Sequence, residues 1–405
     1  MVFDKNVNLD SYKLNESLKP WPSYHKKPVV LQILSEASLS SSSRAAIDIA
    51  AAVHKAGGFS FVASSGGPLV GDIVRSGAKH IELPLNRKNP ITMRFNVMRL
   101  LMLIWRYKIN IIHLHHREPA PSVLKAIKRA ECHLITTFQD LYDRNGGLRK
   151  NYYEIMTKGD KIIAVSDFMA DVIRDNYSVP EDKIRVIHQG VDLLRFDPER
   201  VGAERLIQLS SQWRLPDGVP IVLMPTKLLR WKGHEQMIQA MARLRKLDFF
   251  CLMIGYNEKS HNYYAELEAL IQQHGLSDKV YIYNECKDMP AAYMLSDVVV
   301  CPSIKPEPFG CIISEAQAMG RPVVAADHGG VREQAQFGRM VWLVPPNNPG
   351  MLADAIAQAL HLSVNERKVL AREAIANVHA RFSKELMCEK TLQVYWEILR
   401  SDLGS

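Results

Sequence analysis

The chain has 405 residues, 47% hydrophobic and 23% charged, the proportions of a soluble globular protein long enough for two domains with separate cores. The formal net charge is +8, and it is uneven: residues 1–200 carry 29 Lys+Arg against 21 Asp+Glu, whereas residues 201–405 carry 22 of each. The six cysteines form no C-x-x-C pair, which excludes a disulfide framework or zinc pattern and fits a reducing, cytosolic compartment; no apolar run approaches a membrane span.

Residues 1–27 read as a loosely held tail, polar and containing acids, unlike a secretory signal. Strands and helices then alternate. "PVVLQIL" reads as a buried strand and "SRAAIDIAAAVHKAGG" as a helix ended by glycine. "SFVASS", "INIIHLH", "HLITTF", "KIIAVS" and "IRVIHQG" are further apolar strands with helical patterns between them, the rhythm of a parallel sheet wrapped by helices. In "IIHLHHRE", His113, His115 and His116 have no evident carboxylate partner, so no metal site is expected.

The basic surplus concentrates between Arg87 and Lys150, where 13 basic residues face only Glu118, Glu131, Asp140 and Asp143. That imbalance suggests a polyanionic partner. No recognition module for nucleic acid is visible, and an anionic membrane surface is the expected partner. Within this stretch "MRFNVMRLLMLIWRYK" interleaves Arg94, Arg99, Arg106 and Lys108 with Phe95, Leu100, Leu103, Ile104, Trp105 and Tyr107. The expectation is a helix packed on the sheet through its apolar face, with the basic residues turned outward; a compatible functional reading rests that outward face on anionic lipid headgroups.

The alternation pauses over the charged, Pro-containing "VDLLRFDPERVGAERLIQLSSQWRLPDGVP", with the domain junction near residues 198–218, and resumes with "IVLMPT", "FFCLMIG", "KVYIYN", "VVVCPS", "RPVVAAD" and "MVWLVPP". The expected class is α/β with two Rossmann-like domains, 28–200 and 201–383, and a last helix, 384–405, returning to the first.

"SIKPEPFGCIISEAQAMGRPVVAADHGG" carries the sharpest chemistry. Pro306 and Pro308 stiffen a loop around Glu307. A helix is expected from Phe309–Gly310 to Met319, its free N–H groups offering a diphosphate site, with Gly310 allowing close approach. Glu315, about one turn inside, can accept from a ribose diol. Glu307 points at the group beyond the phosphates. In "TKLLRWKGHEQ", Lys227 follows a strand and Lys232–Gly233 opens a helix, two ammonium groups placed to stabilise a diphosphate leaving group.

The combination of "PTKLLRWKG" and "EPFGCIISEAQAMGRPVVAADHGG", with the E-x7-E pair at Glu307 and Glu315, resembles the retaining glycosyltransferases of family 4, with the GT-B fold of two Rossmann-like domains facing across a cleft. "VIHQGVD" resembles that family's interdomain segment and "AVSDFMA" its strand-to-helix serine motif at Ser166; "NRKNPIT" and "ITTFQDLYD" resemble members acting in proteobacterial envelope polysaccharide and lipopolysaccharide pathways.

The resemblance implies retaining transfer of a sugar from a nucleotide sugar to a glycan or lipid-linked acceptor, with no cofactor and no metal. The sequence has no D-x-D to hold one. Glu307, Lys232 and Lys227 are assigned to the chemistry. Phe309, Gly310, Cys311 and Ile312, with Glu315, Lys227, Lys232 and Gly233, are assigned to the donor, and Gln139, Ser42, Ser43, Arg44 and Ser166 to the acceptor or sugar side. Separately from the resemblance, the cysteine usage and the basic surplus between Arg87 and Lys150 give the expected location: cytoplasmic, peripheral on the inner face of the plasma membrane. Three departures stand out: serines replace a Gly-rich loop at Ser40 to Ser43, Lys227 replaces arginine, and Gln139 replaces histidine. They keep open a catalytically impaired nucleotide-sugar binder of the same fold; an epimerase or phosphorylase is the other alternative.

Overall fold

The computed structural model describes residues 27–141, 154–256, 260–284, 286–336 and 340–401. The tail expected over residues 1–27 lies outside them except for Lys27, as do Asp143, Lys150 and residues 402–405.

The apolar runs become strands of parallel sheets, where both faces are covered and near-continuous hydrophobicity is tolerated. The first half runs β1 (Val29–Ile33), α1 (Ser41–Lys55), β2 (Phe59–Ser64), α2 (Val70–Arg75), β3 (Lys79–Glu82), α3 (Pro90–Tyr107), β4 (Ile111–Leu114), α4 (Ala120–Ile127), β5 (His133–Phe138), β6 (Lys161–Ala164), α5 (Asp167–Tyr177) and β7 (Ile184–Val186). Its sheet has the order β3-β2-β1-β4-β5-β6-β7. Strand β3 was not anticipated: it is an edge strand of four residues whose Lys79 and Glu82 are exposed, so it lacks the apolar run of its neighbours.

The second half runs α6 (Ala203–Trp213), β8 (Ile221–Met224), α7 (His234–Arg243), β9 (Phe250–Tyr256), α8 (His261–Gln273), β10 (Val280–Asn284), α9 (Met289–Leu295), β11 (Val298–Cys301), α10 (Cys311–Ala318), β12 (Val323–Ala326), α11 (Val331–Ala335), β13 (Val341–Val344), α12 (Pro349–Leu360), α13 (Val364–Arg381) and α14 (Lys384–Ser401). Its sheet has the order β10-β9-β8-β11-β12-β13. Helix α6 corrects the reading of residues 191–220 as a pause in the pattern. Its buried Leu209 and Trp213 lie one turn apart, and Arg205 anchors it through two hydrogen bonds to Asp288.

Packing divides the chain into two compact units, residues 1–137, 145–162 and 388–405, and residues 138–144 and 163–387. In the first, Tyr395 of α14 is fully buried. Its hydroxyl accepts from Gln32 Nε2 (3.0 Å) and lies 2.6 Å from His113 Nδ1, while His113 Nε2 meets Thr137 Oγ1 at 2.6 Å and His115 Nε2 meets Gln32 Oε1 at 2.7 Å. These two histidines are therefore core groups satisfied by hydrogen bonds. Burial lowers the His113 pKa to about 3.

In each sheet the strand order reverses beside its first strand, between β1 and β4 and between β8 and β11. Such switch points leave a crevice at the carboxyl ends of the strands, where open α/β sheets bind ligands.

Candidate active site

Lys227 and the Glu307 loop leave the carboxyl ends of β8 and β11, which pair in parallel at Val222↔Val298 and Leu223↔Val299. Two segments distant in sequence therefore meet at the switch point of the second sheet. Lys227 is exposed there. Lys232, five residues on, is mostly buried, with its ammonium 4.4 Å from the Trp231 ring centroid. Gly233 has φ +84, and a Cβ on it would stand 2.0 Å from Pro302 O, so only glycine lets this turn lie against the β11 loop. His234 opens α7 fully buried, 3.3 Å from Thr226 Oγ1. Burial, aided by the Lys232 charge, lowers its pKa to about 4 despite hydrogen bonds that favour the charged form.

The Glu307 carboxylate is held at both oxygens. Lys232 Nζ stands 2.8 Å from Oε2, with the two side chains 13% and 16% exposed, and the Ser303 hydroxyl donates to Oε1. The loop backbone is clamped as well. Gly330 N donates to Glu307 O (3.0 Å), and Gly329, at φ +65, would place a Cβ 2.4 Å from the same oxygen. The closing "HGG" of the motif is thus a backplate for the loop that carries Glu307.

Helix α10 begins at Cys311, directly after the expected start at Phe309–Gly310, behind Gly310, whose position provides no side-chain cap. The N–H groups that open a helix have no carbonyl partner within it. Phe309 is buried against His188 and Phe382, while Ile312 is half-buried. Glu315 is half-buried one turn in and accepts from the Tyr293 hydroxyl at 2.8 Å. Burial first, then the Glu315 charge, push that phenol well above its usual range. The Cys311 thiol donates to Gln189 Oε1 (2.6 Å), and Gln189 Nε2 donates to Gln139 Oε1 (3.3 Å). The structure thereby links Gln139 to the start of α10 through one amide. Gln334 is fully buried, with neither amide atom hydrogen-bonded to the described residues, and its Oε1 would stand 2.8 Å from a Cβ on Gly310.

Ser166 caps α5, accepting from Met169 N at 3.0 Å and donating to Pro308 O at 2.7 Å. Glu333 of α11 accepts from Asp167 N and Phe168 N, 2.9 and 2.8 Å, and lies 3.0 Å from His188 Nε2. Burial pushes its pKa up, but these donors outweigh it and hold the carboxyl below its usual value. Among the described residues Asp167, His188 and Glu333 are the group whose ligating atoms lie close enough, within 4.8 Å, to share a metal ion. The Glu333 oxygens are already engaged by the N–H groups that open α5.

In the first unit, Ser42 Oγ is 2.9 Å from His116 Nε2, and Ser35 N donates to His116 Nδ1 at 3.0 Å. These groups follow β1 and β4, the strands beside that sheet's switch point. Ser43 is fully buried, its amide bound by the Ser40 cap and its hydroxyl donating to Glu36 O at 3.3 Å, so its side chain serves the turn. Arg44 is exposed.

Sequence reasoning missed Ser303, Tyr293, Gln189, His116, Gln334 and Glu333. Gln189 inside "VIHQGVD", His116 inside "IIHLHHRE" and Ser303 at the head of "SIKPEPFG" lay in stretches already singled out, but without these roles. The others carry no local pattern, because strand order and long-range contacts bring them in.

Residues 207–377 match the model for glycosyl transferases group 1, and residues 42–195 match the model for glycosyltransferase family 4. The crystal structure of a glycosyltransferase from Rickettsia africae ESF-5 is 34% identical, with a TM-score of 0.85 over 93% of this chain and 99% of that one. Anabaena Alr3699/HepE, solved in complex with UDP-glucose, shares the fold at 20% identity, TM-score 0.78, over 91% of this chain and 99% of its own. The putative colanic acid biosynthesis glycosyltransferase WcaL of Escherichia coli K12 is 26% identical over 58% of this chain and 56% of its own length. The chain spans less than two thirds of the length of curated relatives it matches, 59% and 64% in two others. On the two matched models and the near-complete likeness to the Rickettsia enzyme, this chain belongs to the family 4 glycosyltransferases of the GT-B fold.

Proposed function

We propose that the chain transfers a sugar from a nucleotide-sugar donor to a glycan or lipid-linked acceptor, with retention and without a metal, in cell-envelope polysaccharide or lipopolysaccharide synthesis. The observation that carries this is the convergence of Lys232, Glu307 and the open start of α10 on one switch point, with Glu315 one turn inside the helix. The donor diphosphate sits at the α10 N–H groups beside Lys227 and Lys232, whose charges stabilise it as it leaves. Glu315, oriented by Tyr293, accepts from the ribose diol. Glu307, held by Lys232 and Ser303, positions sugar hydroxyls and offsets the positive charge that grows at the anomeric carbon. Both Glu307 oxygens are engaged, which favours this electrostatic role over attack on the sugar. The acceptor then enters on the face the diphosphate leaves, passing its proton to a phosphate oxygen. The UDP-glucose complex of Alr3699/HepE supports a nucleotide-sugar donor, and the likeness to WcaL, a putative colanic acid biosynthesis enzyme, supports an envelope polysaccharide product.

A nucleotide-sugar binder without turnover is the second reading, favoured by Gln139, whose amide oxygen accepts from Gln189 and which cannot take a proton. The deciding experiment is a thermal-shift screen with UDP-, GDP-, ADP- and CMP-sugars, followed by donor turnover with the best of them and an anomeric assignment of the product by NMR. A shift with turnover and a retained anomer is expected. A shift without turnover under any acceptor supports the binder, and an inverted product overturns the retaining assignment.

A further inference from the structure

Helix α3 is apolar on two opposite faces. Asn96, Val97, Leu100, Leu101 and Ile104 are buried. Ile91, Phe95, Met98, Met102 and Trp105 are exposed, by 53% to 67%. The exposed set recurs at steps of four, three, four and three, one continuous stripe along the helix. Of the 14 large hydrophobic side chains exposed among the described residues, five lie on this one stripe. Phe95 and Trp105, expected to pack on the sheet, therefore face outward. At about 100° per residue, Arg94 falls on one flank of the stripe and Arg99 and Arg106 on the other; all three are exposed. Between Glu82 and Glu118 the chain holds no acid and carries Arg87, Lys88, Arg94, Arg99, Arg106, Lys108 and Arg117.

We infer that the outer face of α3 is a docking surface for an anionic lipid bilayer, on which the helix lies in the plane of the headgroups. The stripe enters the headgroup and acyl boundary, and the flanking arginines reach the lipid phosphates with their stems along the apolar surface. Trp105 suits that depth, its indole having an apolar body and a polar N–H. A second copy of the chain fits less well. Pairing two such stripes brings two sets of arginines together with no acid on the helix to neutralise them, the opposite of the charge pattern that joins helices. Among the described residues no helix is long and apolar enough to cross a membrane, so the contact is interfacial.

The test is flotation of the full chain with vesicles of phosphatidylcholine mixed with phosphatidylglycerol, against phosphatidylcholine alone, at low and high salt. Two variants are compared, Phe95→Ser with Trp105→Ser, and Arg94→Gln with Arg99→Gln; every position is exposed, so melting temperatures stay at the wild-type value. Wild type is expected to float with the anionic vesicles, less with neutral ones, and less at high salt. Each variant should lower the apparent partition coefficient by about tenfold or more. Binding by both variants equal to wild type overturns the proposal, as does absence of binding to the anionic vesicles. A dimer in sedimentation that Phe95→Ser with Trp105→Ser dissolves, without lipid binding, reassigns the stripe to self-association. None of these outcomes depends on donor turnover, so this proposal and the transferase reading fail separately.

Discussion

Lys232 Nζ stands 2.8 Å from Glu307 Oε2, joining the turn after β8 to the loop after β11 in a mostly buried ion pair. The pair makes each residue a condition for the other: removing one charge leaves its partner buried and uncompensated. Lys232→Ala is therefore expected to destabilise by up to about 3 kcal/mol, and the double variant Lys232→Ala with Glu307→Gln by less. Chemical denaturation of the three variants checks this. Additive losses would mean the two charges do not sense one another.

Glu307→Gln retains the shape of the loop and loses the charge. Turnover should fall by about a hundredfold or more while the donor dissociation constant changes little, because the lost interaction grows as the sugar becomes positive. Calorimetry with donor and a turnover assay separate the two. Equal losses in both would move Glu307 into simple donor binding.

Glu315→Ala should weaken donor binding by roughly 1.5–3 kcal/mol, the loss of a charged hydrogen-bond partner. Tyr293→Phe removes only the group that orients Glu315 and should cost less affinity. A donor dissociation constant unmoved by Glu315→Ala would remove the ribose assignment.

His234 is buried and its pKa falls from 6.5 to about 4. Above 6.5 both folded and unfolded chains hold it neutral, and it costs nothing. As pH drops below that value the unfolded state gains a proton that the folded state resists, so stability declines until about 4, where the folded state protonates too. His113 adds a contribution of the same sign that extends to about 3. The expected result is a melting temperature that falls with pH through this window and falls less steeply in His234→Asn. Parallel slopes would show that His234 is not held neutral.

Glu333→Ala removes the acceptor for Asp167 N and Phe168 N, leaving the start of α5 with Ser166 as its remaining cap. The expected cost is about 1 kcal/mol. The same carboxyl has a lowered pKa, so its stabilisation is present above the ordinary carboxylate value and is lost as pH falls through the folded one. Acid titration of wild type against the variant measures that loss, and coincident curves would deny the cap.

Six apolar runs of the second half became strands β8 to β13, and the pause between the halves hid α6 because its two buried residues, Leu209 and Trp213, sit among uncharged polar Gln and Ser side chains rather than in an apolar run. The E-x7-E spacing alone places Glu315 one turn into a helix and Glu307 ahead of it, since both positions follow from local geometry. What sequence by itself determined is whatever is encoded within a few residues: buried strands from continuous hydrophobicity, a stiff loop from flanking prolines, an open helix start from glycine. Tertiary structure alone decided that Lys232 pairs with Glu307, that Gln189 links Cys311 to Gln139, and which apolar face of α3 is covered. The first two depend on strand order, which sets neighbours across long stretches of chain. The third escapes periodicity because a helix apolar on opposite sides has no single hydrophobic direction, and only packing selects the face that leaves water.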